Sequence, residues 1–358
     1  MQCLTNIEHN KIPNHVIKRY LTLYPYIGRN DDMLATIEKD AEALIMHTVK
    51  EDSFYFVKLF NIELSDARFR AILTKDIQPK TKDERFLSHV KQAFIKIHED
   101  AESFELITNE IRDLIKFLYK DIEPDQALHF SKMENVRKKK SIDLLTSSFK
   151  SKQEALDALV ERYNEVIKKL DFEVSFVITN FYIDFINLKP FVKHNEEIGL
   201  MMAYVLLLTS HYESYHLSSF FEKIYKQRTL FIKYQKDASH NWAEGLANVM
   251  HLHTFLLDIA LESYKETSEM LRNYRFDHSH NKSDYIENTI NKLEEVFTKE
   301  QIRQEHPTVS DSTINRTLKR LRDENKIRPL GKGRSAKWMK LYKTPKKQSF
   351  AEQLNLKL

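Results

Sequence analysis

Nine consecutive residues, Lys189-Pro-Phe-Val-Lys-His-Asn-Glu-Glu197, bring together two lysines, a histidine, an asparagine and two glutamates. A lysine is protonated at neutral pH unless strongly desolvated, so Lys189 accepts a proton poorly, and Lys193 cannot hold magnesium. Glu196 and Glu197 fall where a helix begins, and carboxylates in a first turn are stabilised by the helix dipole by ~0.3–1 kcal/mol. They occupy the place an anion would take, and paired carboxylates repel other anions. Helix capping is the reading of this pair. One other chemistry stays open, in which Lys189 or His194 works beside a metal held by the glutamates, but it lacks a third ligand and a nucleophile. A second constellation, Ser312, Asn315, Arg316 and Lys319, recurs at three- and four-residue spacing and suits base edges rather than covalent chemistry. Two histidine pairs give no metal site. His278 and His280, with Asp277, lie in a polar linker without further ligands, and His251 and His253 are two apart on a helix and share no face.

The elements that must position the first constellation follow from the same stretch. Pro190 disfavours helical backbone at Lys189, so the helix arriving from Val174 stops near Leu188. Asn195 is an N-cap candidate for the next helix. From Ile198 to Leu208 nearly every residue is apolar, which marks a helix buried on all sides, and the run is too short for a ~20-residue membrane span. The loop therefore joins two core helices.

With these residues in place the loop resembles the signature of the Fic (Fido) family, His-Pro-Phe-x-[Asp/Glu]-Gly-Asn-[Gly/Lys]-Arg-x-x-Arg. Pro190, Phe191 and Asn195 match it. The family's catalytic histidine falls on Lys189, its metal-binding acid on Lys193 and its first glycine on His194. Its next glycine and two phosphate-holding arginines fall on Glu196, Glu197 and Leu200. The flanks resemble the family in the right order over residues 52–342. Residues 135–149 are similar to its flap hairpin, with Val136, Arg137, Ile142 and Leu144 along it. Residues 215–221, Arg228, Tyr234 and 240–242 are similar to its later helices. Phe56-Val-Lys-Leu-Phe-Asn61 falls where many members carry an inhibitory helix, with Phe60 in place of the inhibitory glutamate. The resemblance implies a helical bundle with a small β-hairpin flap that pairs with an extended protein target by strand addition. Read from its residues alone, the flap is equally a solvated loop with a charge run. In an active member the histidine is the general base on a target hydroxyl, while loop amides, magnesium and arginines hold ATP. Here those groups are replaced, which implies no catalysis, no cofactor and no ATP.

Composition supports a helical reading. In 358 residues there are only 5 Gly and 8 Pro, with 30% charged residues. The single cysteine, Cys3, excludes a disulfide framework and a cysteine-based zinc site. No signal peptide or membrane span is legible, so a soluble cytoplasmic protein is expected. The net charge of +4 is unevenly spread. Residues 301–358 hold 15 Lys and Arg against 5 Asp and Glu, a balance of +10 that leaves −6 for the rest. A basic terminal module on an acidic body points to a polyanion partner for that module.

That module reads as a winged helix-turn-helix over 283–345. Ile286, Ile290, Leu293 and Phe297 space a first helix, and Thr298 with Gln301 forms a capping box for a short second one. Ser310 caps a third, with Ile314, Leu318 and Leu321 inward. Two strands joined by residues 331–334 follow. Such a module places its third helix in the major groove, with Lys332, Arg334 and Lys337 on phosphates. It also serves other proteins as a contact module. The expected domains are a helical region 1–94, a Fic-like core 95–274 with the altered motif at 189–200, the winged helix, and a basic flexible tail 346–358. The expected function is a catalytically inactive regulator that binds DNA or a partner. AMP transfer to a protein hydroxyl and a pure scaffold are the alternatives.

Overall fold

The computed structural model describes residues 2–37, 40–62, 64–75, 77–133, 149–278, 282–307, 309–331 and 336–341. The chain divides into two compact units, Met1–Glu269 and Met270–Leu358. Thirteen helices begin in the first unit among the described residues. They are α1 (Gln2–Thr5), α2 (Asn14–Ile27), α3 (Asn30–Ile37), α4 (Ala41–Leu59), α5 (Asp66–Lys75), α6 (Lys82–Glu99), α7 (Thr108–Leu118), α8 (Lys152–Lys169), α9 (Val174–Leu188), α10 (Asn195–Leu208), α11 (Phe220–Lys226), α12 (Arg228–Ser239) and α13 (Met250–His278). Local chemistry starts several of them. Thr81, Ser151 and Ser219 each accept the amide of the residue three positions on, and so cap α6, α8 and α11.

The centre is α9 packed along α10. In α10 every residue from Ile198 to Leu208 is buried, as its apolar run requires. The two helices approach closely at Gly199, where a Cβ would lie 2.8 Å from Ile186 Cγ2 and 3.0 Å from Phe185 Cδ1. Neither atom lies at the end of a long flexible side chain, so Gly199→Ala is expected to cost about 1–3 kcal/mol of overpacking, against a gain of under about 1 kcal/mol in helix propensity. A lowered melting temperature checks this. One apolar core runs from Cys3 to Tyr264. The division expected at 94/95 falls inside α6, which is continuous, and residues on both sides of it share that core.

The second unit contains α14 (Lys282–Lys292), α15 (Lys299–Glu305) and α16 (Asp311–Asp323), with β1 (Val296–Thr298), β2 (Ile327–Pro329) and β3 (Lys337–Lys340). The antiparallel sheet has the order β1-β3-β2, with Phe297 opposite Trp338 and Ile327 opposite Lys340. Its separate core gathers Ile286, Ile290, Phe297, Ile302, Ile314, Leu318, Leu321 and Ile327. The capping box of Thr298 and Gln301 and the Ser310 cap both form. Phe297, expected on the first helix, instead lies on β1. The buried Lys340 donates its ammonium to the carbonyls of Asn291 (2.9 Å) and Leu293 (2.5 Å), which closes α14 before Phe297 is reached.

Candidate functional site

Helix α9 ends at Leu188 as expected, and Lys189 adopts left-handed backbone (φ 48°, ψ 64°). The Lys152 ammonium donates to the Leu188 carbonyl at 2.6 Å. The loop then pairs as a short strand. Phe191 bridges Phe130 with their rings stacked, Ser131 N donates to Pro190 O at 2.8 Å, and Val192 N donates to His129 O at 3.1 Å. The flap candidates Val136, Arg137, Ile142 and Leu144 lie outside the described residues.

Asn195 is the first residue of α10 and does not cap it. Its amide folds back instead, accepting from Phe191 N (2.9 Å) and donating to Phe191 O (2.8 Å). This ring fixes the turn between Pro190 and the helix. His194 occupies the cap position with left-handed backbone (φ 64°) and offers no side-chain cap. Its ring stacks on Tyr119 with centroids 3.6 Å apart, and Nδ1 lies 3.1 Å from Glu197 Oε1. The Lys193 ammonium donates to Glu123 at 3.0 Å and holds that carboxyl below its usual range. Glu197 is thus committed to His194, and through its hydrogen bond to Tyr119 it helps burial raise that phenol. Both glutamates lie in the first turn of α10, as expected, and Glu197 is turned toward His194. Lys189 is exposed and makes no ion pair among the described residues.

The loop borders a cleft of about 410 Å³. Its far wall is the end of α4 (Leu59, Phe60 and Asn61) together with Arg228, Phe231, Ile232 and Gln235 of α12. Phe60 therefore stands across the cleft from the loop. Arg228 donates to Asn61 Oδ1 at 2.7 Å, and Tyr182 donates to Gln235 Oε1 at 3.2 Å. Leu200 does not line this cleft and is buried in the α9–α10 contact. Tyr119, Glu123 and Gln235 were missed as site residues, because only the fold brings them to the loop. Among the described residues no group of three or more His, Cys, Asp or Glu could hold a metal ion. His253 is a core residue, 2.5 Å from the Tyr20 hydroxyl and 3.1 Å from Thr179 Oγ1, and burial pulls it down to about 3. His251 is exposed on another face of α13. No helix is long and apolar enough to cross a membrane among the described residues.

In the second unit Ser312, Asn315, Arg316 and Lys319 are all exposed on α16, while Ile314, Thr317, Leu318 and Leu321 are buried. Lys337 is exposed on β3. Lys332 and Arg334 lie outside the described residues.

No protein-family model matches the sequence, and no curated protein matches it. Solved structures do. A Fic family protein from Desulfovibrio desulfuricans G20 is similar over 94% of this chain and 98% of its own, with 9% identity and a TM-score of 0.50. Fic-1 from C. elegans is similar over 71% of this chain and 72% of its own, with 10% identity and a TM-score of 0.53. A Fic domain containing signaling protein from Bacteroides thetaiotaomicron is similar over 69% of this chain and 98% of its own, with 12% identity and a TM-score of 0.51. The protein is thus mainly α-helical, with the Fic fold.

Proposed function

We propose that this is a Fic-fold protein without nucleotide-transfer activity that acts as a DNA-binding regulator, with its second unit a winged helix. The observation that carries the DNA reading is how charge is sorted within that unit. Arg320 and Lys326 are both paired with Glu287 (2.7 and 2.5 Å), Arg303 with Asp311 (2.7 Å) and Arg322 with Asp323 (2.8 Å). Arg316 and Lys319, on the exposed face of the capped helix, have no carboxylate partner among the described residues. Cations left unneutralised on a helix of this placement are suited to phosphates and base edges. Lys337 and, at the wing, Lys332 and Arg334 would add backbone contacts.

The loss of catalysis is supported by the loop. Lysine stands where the fold's general base is expected, and Lys193, His194 and Glu197 are engaged with Glu123, Tyr119 and one another. The cleft beside them is the body's candidate sensing site.

The test uses the full chain. Fluorescence anisotropy is expected to show duplex binding that weakens with salt, each neutralised phosphate adding about −0.9 to the logarithmic slope. Arg316→Ala is expected to relax sequence preference by about 1–3 kcal/mol at one position. No duplex binding at low salt would overturn the reading and leave a protein-contact unit. Calorimetry is expected to detect no magnesium-dependent ATP binding at micromolar strength, and such binding would overturn the loss of nucleotide chemistry.

A further inference from the structure

Within the exposed face of α16, Asn315 is held by another helix. Lys299, the first residue of α15, donates its ammonium to Asn315 Oδ1. The backbone of Lys299 is fixed on both sides. Thr298 before it ends β1, paired with β3, and caps α15 in a reciprocal box with Gln301. A cation in the first turn of a helix lies against the helix dipole, and Lys299 has no carboxylate partner among the described residues to offset that. Local stability does not account for the placement.

Resting on the DNA-binding reading, we infer that Lys299 is a specificity-determining residue that makes Asn315 half of a guanine-reading pair. An asparagine alone offers one acceptor and two donor hydrogens and suits adenine, which presents an N7 acceptor beside an N6 donor. In this unit the ammonium already takes one lone pair of the amide oxygen and sets a positive charge beside the other. An adenine N6 donor would approach an oxygen that holds a positive charge, and its own hydrogens would face that charge. The pair still presents donors from both Asn315 Nδ2 and Lys299 Nζ. Guanine presents two neighbouring acceptors, N7 and O6, and matches that pattern. Arg316, the next residue on the same face, has the same preference, so the site recognised is expected to contain neighbouring guanines.

The experiment uses the full chain and a duplex recovered from a randomised library, remade with each of the four bases at the position whose preference Asn315→Ala abolishes. The wild type is expected to prefer guanine over adenine there by roughly tenfold, the ratio that one good bidentate contact gives. Lys299→Met is expected to remove that preference and raise adenine to at least equal rank, with the slope against salt unchanged. Lys299→Arg, which keeps charge and donors, is expected to retain guanine. Adenine preferred by the wild type would overturn the inference. So would equal weakening on all four duplexes with a shallower salt slope, which marks a phosphate contact, and so would no change at all. Absence of wild-type duplex binding at low salt would overturn the DNA reading and this inference with it.

Discussion

Asp184→Ala is expected to destabilise the first unit by about 3–5 kcal/mol. Asp184 is fully buried in α9, one turn before the loop, and among the described residues its carboxylate accepts from three donors. Cys3 N reaches Oδ1 and Leu4 N reaches Oδ2, each at 2.9 Å, and Trp242 Nε1 reaches Oδ1 at 2.7 Å. Truncation leaves all three N–H groups in the interior without an acceptor, and each such group costs about 1–3 kcal/mol, with less than full additivity. It also frees α1, whose first-turn amides have no acceptor within so short a helix. For a unit of this size each kcal/mol lowers the melting temperature by about 2–4 °C, so a fall of roughly 10 °C is expected. Trp242 emission in a Trp338→Phe background should shift to the red as release of α1 opens its buried indole to water. Asp184→Asn retains one acceptor and turns an amide donor toward the other N–H, so an intermediate loss is expected. A melting temperature unchanged in the alanine variant would show that the carboxylate does not anchor α1.

How far the site was legible depended on whether its partners were local. Pro190, the apolar run 198–208 and the caps at Thr298 and Ser310 act within a few residues of themselves, and the elements they specify appear where the sequence places them. Asn195 was misread because its side chain satisfies the main chain of Phe191, four residues back, instead of the amides ahead of it. A cap rule cannot choose between those two partners. The partners of the loop were not legible for a longer-range reason: the loop is shaped by Tyr119 and Glu123, some seventy residues upstream, which engage His194 and Lys193 and leave Lys189 outside. Phe297 continues the helical spacing of Ile286, Ile290 and Leu293, so periodicity alone could not separate strand β1 from helix α14. What ends the helix is Lys340, nearly fifty residues later.

Asp52→Asn is expected to be tolerated and to remove a pH dependence that Asp52→Ala would expose as a loss. Asp52 is fully buried in α4. Its Oδ1 accepts from Ser219 Oγ (2.6 Å) and Phe221 N (3.0 Å), and Oδ2 lies 3.1 Å from the Tyr204 hydroxyl. From Tyr204 a chain continues to His98 Nε2 (2.9 Å), from His98 Nδ1 to His216 Nδ1 (2.8 Å), and from His216 Nε2 to Glu213 (3.3 Å). Donors and acceptors along it can align in two ways. With Asp52 ionised, the hydrogens between it and His216 all point toward it. With Asp52 protonated, those hydrogens reverse, and His216 Nδ1 accepts from His98. Burial pushes Asp52 up to about 7, with Lys223 as the nearby cation, and burial beside His216 holds His98 well below its usual range. Both directions favour the second alignment, which removes the buried charge. The sign for stability follows. An acid whose folded value lies above its unfolded one binds more protons when folded, so Asp52 contributes stability that is lost as pH rises from about 4 to about 7, at up to roughly 1.4 kcal/mol per pH unit. His98 and His253 work oppositely, with stability lost as pH falls below about 6.5. In Asp52→Asn the amide oxygen keeps the Ser219 and Phe221 donors and Nδ2 donates to Tyr204, which fixes the second alignment at every pH. Chemical denaturation should therefore place this variant within about 1 kcal/mol of the wild type at pH 5 and above it at pH 8. Asp52→Ala, which strands both donors at the start of α11, should lose about 3 kcal/mol at pH 5. Equal losses for the asparagine and alanine variants at pH 5 would show that Asp52 is held there as the charged carboxylate.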